Sequence, residues 1–271
     1  MNNPSDSSST LYIRRWLPEK PRAIVCLLHG IFEHGGRYRQ FAGYLNEAGI
    51  GLVVADHYGH GRSPGKKGFI AHWDELIEDT SRWIGEVRTD YPELPCFLMG
   101  QSLGGLLAVS YLRKKKPAFR GVVLLSPALI VSRDLSPLLQ KLAPLLNAVA
   151  PHLKTVRLDA TAVSRDPKVV SDYVNDPLNY TGKIFVRTGH ETLQATKSIR
   201  GYFPEFNWPV LILHGTADRL TEPEGSQLFY DQISSKDKTL RLFQGWYHEL
   251  LNEPEKEQVF ELIKDWISSR I

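Results

Sequence analysis

The sequence predicts an α/β fold: a mostly parallel central sheet with helices on both faces and an inserted helical cap. Three observations predict it. Short continuous apolar runs recur along the chain, Ala-Ile-Val-Cys-Leu-Leu at 23–28 being the clearest, and runs without alternation mark strands covered on both faces. Stretches with helical spacing lie between them, so strand and helix alternate as a parallel sheet requires. The third is Gly100-Gln101-Ser102-Leu103-Gly104, which joins the apolar run 96–99 to a helix-like stretch at 103–113. Strand, tight turn, helix is the setting of a nucleophile elbow, where a serine hydroxyl stands above the sheet edge. A turn that tight excludes a Cβ two residues before and two after the serine.

Taken in order, residues 1–10 are polar and rich in Ser and Asn, and are expected to form a disordered lead and not a secretory signal. Residues 11–17 look like a first strand and 23–28 like a buried one. Phe41, Leu45 and Ala48 give 38–48 helical spacing, which Gly49 stops. Residues 51–55 form the next strand. Trp73, Leu76, Ile77, Thr80, Trp83, Ile84 and Val87 mark a long amphipathic helix that ends before Pro92. Further strands are expected at 96–99, 122–125, 210–213 and 239–243, and a closing helix at 255–268. One block breaks the alternation. Residues 127–207 contain no clear sheet strand, and after Pro127 six more prolines recur there: Pro137, Pro144, Pro151, Pro167, Pro177 and Pro204. Such a length is too great for a bare loop, so 127–207 reads as a helical cap inserted into a core of 11–126 and 208–271. Leu135, Leu138, Leu139, Leu142, Leu145, Leu146 and Val149 keep helical spacing within it, and Pro144 should kink or split that helix.

Composition narrows the function. The 33 basic and 30 acidic residues leave a net charge of +3, too small to argue for nucleic acid. The one basic run, Arg113 to Lys116, falls where a helix should end and suits its carbonyl terminus. Cys26 and Cys96, inside apolar strands, read as buried reduced thiols without metal-ligand spacing. No apolar stretch reaches the ~18 residues of a membrane span. The expectation is a soluble, cytoplasmic protein, or one peripheral to a membrane, with no cofactor and no metal.

A serine hydroxyl needs a base to accept its proton, and on sheets of this kind the order is serine, acid, histidine. Of nine histidines, His152, His190, His214 and His248 follow Ser102. His152 and His190 fall in the cap, and only His248 also follows the best acid, Asp218. Asp218 stands in the turn after strand 210–213, at the sheet edge where sites of open α/β folds gather; Glu222 is the fallback acid. The backbone N–H groups of Leu103 and Ile31 are candidate oxyanion donors, the latter from the loop His29-Gly30-Ile31-Phe32-Glu33-His34. His29 reads as a structural hydrogen-bonder. In Asp56-His57-Tyr58-Gly59-His60-Gly61-Arg62-Ser63 the glycines indicate a sharp loop with an Asp56–Arg62 pair, and not a metal site.

Several motifs occur in order along the chain after Thr10: His29-Gly30-x-x-Glu33-His34-x-x-Arg37-Tyr38, Asp56-x-x-Gly59-His60-Gly61-x-Ser63, Gly100-x-Ser102-x-Gly104-Gly105, Asp176-Pro177-Leu178, Gly215-x-x-Asp218-Arg219 and Tyr247-His248-Glu249. Together they resemble the monoacylglycerol lipase / lysophospholipase family of α/β hydrolases. The resemblance implies an α/β-hydrolase fold and a serine hydrolase that cleaves one acyl chain from glycerol through Ser102, Asp218 and His248. Its partner is then a small-molecule lipid ester, with a peripheral membrane contact through the cap. It also implies that Glu33, Arg37 and Tyr173 lie near a polar glycerol pocket. Two positions depart from the family pattern. Gln101 replaces the usual His before the nucleophile, and Ile31 replaces a small residue at the oxyanion position, which narrows the site and bears on substrate choice. The alternatives keep the triad but change the ester (lysophospholipase, general carboxylesterase or thioesterase). From a different class comes a non-catalytic ligand-binding protein of the same fold, ranked lowest because all three triad residues are present.

Overall fold

The computed structural model describes residues 10–130 and 136–271. Apart from Thr10, the expected disordered lead lies outside them, as does Leu135 of the expected cap helix.

The buried apolar runs become the strands of one seven-stranded sheet. In chain order the elements are β1 (Ile13–Trp16), β2 (Ala23–Leu28), α1 (Arg39–Glu47), β3 (Ile50–Ala55), α2 (Trp73–Asp90), β4 (Cys96–Gln101), α3 (Leu103–Lys115) and β5 (Gly121–Leu125). An inserted segment follows, with α4 (Pro137–Val149), β6 (Lys154–Arg157), α5 (Pro167–Asn175), β7 (Lys183–Phe185) and α6 (Val186–Ile199). The chain then returns to the sheet through β8 (Val210–Gly215), α7 (Pro223–Gln232), β9 (Lys238–Phe243) and α8 (Glu257–Ser268). Strand order is β1-β3-β2-β4-β5-β8-β9, with β1 antiparallel to β3 and every other pair parallel.

The central strands are buried along their length, save for half-buried Cys96 at the start of β4, because both faces are covered. In β2, Val25 and Leu27 join Phe41 and Leu45 of α1 and Phe260 and Ile263 of α8 on one face. Cys26 and Leu28 join Ile84 and Val87 of α2 and Leu106 and Leu107 of α3 on the other. The registers Leu27↔Val54 and Leu27↔Met99 bring the carboxyl ends of β3, β2 and β4 level. Their loops therefore open on one edge, at the point where strand order reverses and ligands of open sheets bind. The basic run at the end of α3 is consumed structurally. Lys116 is its left-handed C-cap, while Lys114 and Lys115 pair with Asp74 and Glu78 of α2.

Three expectations need correction. First, Pro144 does not split α4. The helix runs unbroken through it, and the bonds from Gln140 N to Ser136 O (3.0 Å) and from Ala150 N to Leu146 O (2.8 Å) hold the ends. Second, the inserted segment does contain strands: β6 and β7 pair antiparallel in a two-stranded ribbon. Third, Asp56 takes its side-chain ion pair from Arg14, not Arg62. Arg62 gives Asp56 only its backbone N–H (2.8 Å) and turns its guanidinium to Tyr12. The two cysteines are unbonded thiols with sulfurs 3.8 Å apart.

Buried histidines lock the loops after β2 and β3 together. The His57 N–H donates to His29 Nε2 (2.9 Å), so the His29 proton sits on Nδ1 and reaches Gly30 O (2.8 Å). His57 Nε2–H returns a bond to His29 O (3.0 Å). Burial, helped by the neighbouring His60, pushes His57 down to about 3; burial lowers His29 and His60 as well. In the unfolded chain these imidazoles titrate near 6.5, so stability is fully present above that pH and is lost as pH falls towards 3. The slope is about 1.4 kcal/mol per pH unit for each group protonated only when unfolded. Urea midpoints measured from pH 7 to 4 should fall, and His57→Gln should flatten the decline. An unchanged slope in that variant would remove His57 from the account.

Candidate active site

Ser102 sits at φ 55°, ψ −117°, a strained backbone for a residue with a side chain. The surrounding glycines let the turn close. A Cβ on Gly100 would lie 2.4 Å from Gly104 O, and one on Gly104 would lie 2.0 Å from Leu28 O. The elbow is pinned by Ser102 N–H donating to Leu125 O (2.9 Å), and by Ser102 O accepting from Gly105 (3.0 Å) and Ala128 (3.1 Å). Leu103 is the first residue of α3, so its N–H has no intrahelical acceptor.

The loop after β2 comes close to this turn: a Cβ on Gly30 would be 3.5 Å from the Ser102 Cβ. Phe32 holds a positive φ of 66° there, fixed by Tyr180 N–H donating to its carbonyl (2.8 Å). Glu33 is the loop's anchor. Its Oε1 accepts from Gly30 N (2.6 Å) and Tyr38 OH (2.7 Å), and its Oε2 accepts from Arg37 (2.7 Å). Arg37 also grips Glu249 through two bonds of 2.6 Å, and the Tyr173 ring of α5 lies 4.9 Å over its guanidinium. One cation thus joins the loop after β2, the loop carrying His248, and the inserted segment. Glu33 and Tyr173 line the cavity, whereas Arg37 is not among the lining residues. Its guanidinium bonds Glu33 and Glu249, which do line the cavity, so it stands one residue back from the wall.

On the opposite wall, His248 Nδ1–H donates to Asp218 Oδ2 (2.7 Å), leaving Nε2 as the free base. Asp218 also accepts from Leu220 N (2.8 Å) and Thr221 N (3.0 Å) on Oδ1, and from Thr221 Oγ1 (2.8 Å) and His214 (3.1 Å) on Oδ2. Burial opposes the Asp218 charge, but His248 and the His214 bond outweigh it and hold the carboxyl well below the usual carboxylate range. Burial likewise opposes a charge on His248, but Asp218, with Glu249 and Glu33 behind it, raises its pKa above 6.5. Among the described residues no hydrogen bond joins Ser102 Oγ to His248; such bonds tighten when substrate is bound. The fallback acid Glu222 precedes α7 as its N-cap residue, and the carboxylate bonded to His248 Nδ1 is that of Asp218. Gln101, where the family has His, donates from Nε2 to His248 O (3.3 Å) and so braces the base from below.

Ser102, His248, Ile31 and Leu103 all border one cavity of about 1040 Å³ between the sheet edge and the inserted segment. Ala143 and Leu146 of α4 and Val186 and Leu193 of α6 supply apolar wall. Among the described residues no three His, Cys, Asp or Glu side chains are grouped to hold a metal ion. A hydroxyl, a base with an oriented tautomer and an ionised acid beside an apolar chamber are groups that acyl transfer from an ester requires. Sequence reading missed the parts that act through others. Thr221 and Asn252 (which donates to Glu249, 2.9 Å) carry no motif, and the Gly30–Glu33 bond is visible only once the loop is folded.

The family model described as serine aminopeptidase, S33, matches residues 19–255. A monoacylglycerol lipase of Mycolicibacterium smegmatis is 36% identical over 94% of this chain and 92% of its own. The human monoglyceride lipase is 34% identical over 96% of this chain and 87% of its own. Among solved structures, the Paleococcus ferrophilus monoacylglycerol lipase superposes with a TM-score of 0.86 at 35% identity, covering 96% of this chain and 99% of that one.

The elbow makes a sharp forecast. Gly104→Ala should cost about 3 kcal/mol or more, because the obstructing atom is the Leu28 backbone carbonyl. Gly43→Ala, with nothing within 4 Å of the new methyl, should be neutral or stabilising. Denaturant unfolding of both variants checks the pair, and equal midpoints would contradict the packing argument.

Proposed function

The chain belongs to the monoacylglycerol lipase family of α/β hydrolases, and on that premise we propose that it hydrolyses monoacylglycerol to glycerol and free fatty acid through an acyl-enzyme on Ser102. The carrying observation is that His248, bonded to Asp218, lines one large apolar chamber together with Ser102. His248 Nε2 takes the Ser102 proton as Oγ attacks the ester carbonyl, and the oxyanion is received by the N–H groups of Ile31 and Leu103. His248 then protonates the departing glycerol oxygen. Water, deprotonated by the same nitrogen, releases the fatty acid and restores Ser102. Asp218 holds the tautomer throughout and stays ionised. Loss of one oxyanion donor in such a site raises the barrier by about 3–4 kcal/mol. A panel of monoacylglycerols, lysophospholipids and short nitrophenyl esters tests the substrate: monoacylglycerol should have the highest kcat/KM, and a lysophospholipid in first place would overturn the reading.

The inserted segment acts as a cap that roofs the acyl chamber. Two contacts tie it to the core near the site: His34 Nε2–H donates to Asp176 Oδ2 (2.8 Å), and Tyr173 stacks on Arg37. Its helix α4 has two unlike sides. Ser136, Gln140, Ala143 and Leu146 border the chamber. Leu138, Leu142, Leu145 and Val149 are 65, 41, 61 and 71% exposed, an apolar stripe at helical spacing. A single-chain lipid ester resides in membranes, so this stripe serves as a peripheral docking face that recruits substrate.

Two outcomes follow. Because His248 must be neutral to act and its pKa is raised, kcat/KM should climb with pH through a midpoint above 6.5 and then level; a flat profile from pH 5 to 9 would exclude a histidine base. Replacing Leu138 and Leu142 by serine should weaken vesicle binding about ten-fold or more, since each buried leucine contributes about 1.5–3 kcal/mol. Activity on long-chain monoacylglycerol should fall while a short soluble ester is spared. Equal losses on both, with a lowered Tm, would make these leucines core.

A further inference from the structure

His214 is fully buried and has no part in the proton transfers above. It is the penultimate residue of β8, four residues before Asp218, and its two ring nitrogens meet unlike partners. Nε2 is 3.1 Å from Asp218 Oδ2, and Nδ1 is 2.7 Å from Ser226 Oγ on α7. An ionised carboxylate only accepts, so both ring nitrogens that face Asp218 must carry hydrogen: Nδ1 of His248 and Nε2 of His214. His214 Nδ1 is then bare and accepts from the Ser226 hydroxyl, which is itself buried. Thr221 Oγ1 closes the cluster, lying 2.8 Å from Asp218 Oδ2, 3.0 Å from Ser126 O and 3.3 Å from each imidazole.

We propose that His214 is a positioning residue of the reaction: its Nε2–H, held in that tautomer by Ser226, fixes the Asp218 carboxylate and competes with His248 for the same oxygen, lowering the basicity that His248 experiences. The proposal rests on the triad reading above. Its consequence is a division of labour between two histidines on one acid. His248 exchanges a proton in every turnover. His214 keeps its own, and by doing so prevents Asp218 from drawing the catalytic proton too strongly. The other charged groups that bear on His248 are Glu249 beside it and Glu33 across the loop, with Arg37 between those two carboxylates. Arg219, next to Asp218 in sequence, turns away to Asp159 and Thr161.

The test compares His214→Leu with His214→Gln on a short nitrophenyl ester, with fluorophosphonate labelling in parallel. Without the N–H donor, Asp218 is a stronger base towards His248. The leucine variant should therefore shift the acid limb of kcat/KM to higher pH and lower kcat on the order of ten- to hundred-fold, with KM little changed. Glutamine can restore a donor and should lie near wild type in both readouts. If both variants lose stability alike and neither moves the acid limb, His214 is packing alone and the proposal fails. Should the leucine variant not fold, 15N NMR of histidine-labelled wild-type protein decides: bare Nδ1 and protonated Nε2 on His214, opposite to His248, support the proposal, and the reverse tautomer overturns it. Failure of the triad reading is distinguishable, because wild-type protein would then take no label at Ser102.

Discussion

The backbone at Ser102 is the constraint from which the rest of the site follows. A serine at φ 55° between β4 and α3 is tolerated only because Gly100 and Gly104 have no side chains where the strand end and the helix meet. With Gly104 against the Leu28 carbonyl, α3 lies tight on the end of β2. That contact brings the loop after β2 within van der Waals reach of the nucleophile. Parallel registers then set the ends of β8 and β9 on the same edge, which delivers Asp218 and His248 without any long-range search. Strain of about 1–3 kcal/mol at such a residue is sustained because the surrounding hydrogen bonds over-determine the turn.

Charge is buried around the site, and every buried charged group there is hydrogen-bonded. Asp218 is met by two imidazoles, a hydroxyl and two backbone N–H groups. Arg37 is met by three carboxylate oxygens and an aromatic face. Removing one partner from such a cluster strands the others, which is far costlier than the pair is worth. The two clusters differ in purpose. The one at Asp218 governs a single tautomer and a single pKa. The one at Arg37 governs distance, tying the loop that presents Ile31 to the loop that presents His248, with one acid more than it neutralises left to favour the imidazolium.

Much of this was legible in the sequence, because its causes are local. Strands such as 23–28 announce burial on both faces by unbroken apolar content, and the elbow announces itself by two glycines spaced about a serine. Chain order alone selected His248 over His214. Short strands with mixed character, Lys154–Arg157 and Lys183–Phe185, carry too few residues for any period to emerge. Pro144 misled because one missing N–H is a local penalty, whereas helix continuity depends on both neighbouring turns. Arg14 could not be foreseen as the partner of Asp56, since an antiparallel edge strand brings it there from 42 residues away. The second acid of Arg37 was hidden for a similar reason: Glu249 is 212 residues distant.

The central claim is that the strained turn makes Ser102 the activated nucleophile of this chain. Intact-protein and peptide mass spectrometry after treatment with an alkyl fluorophosphonate tests it most directly. The account predicts one adduct per chain, carried on Ser102, absent from Ser102→Ala, and formed on the order of 10⁴-fold more slowly in a folded Asp218→Asn variant. An adduct on another residue, or undiminished labelling of the Ser102→Ala variant, would contradict it.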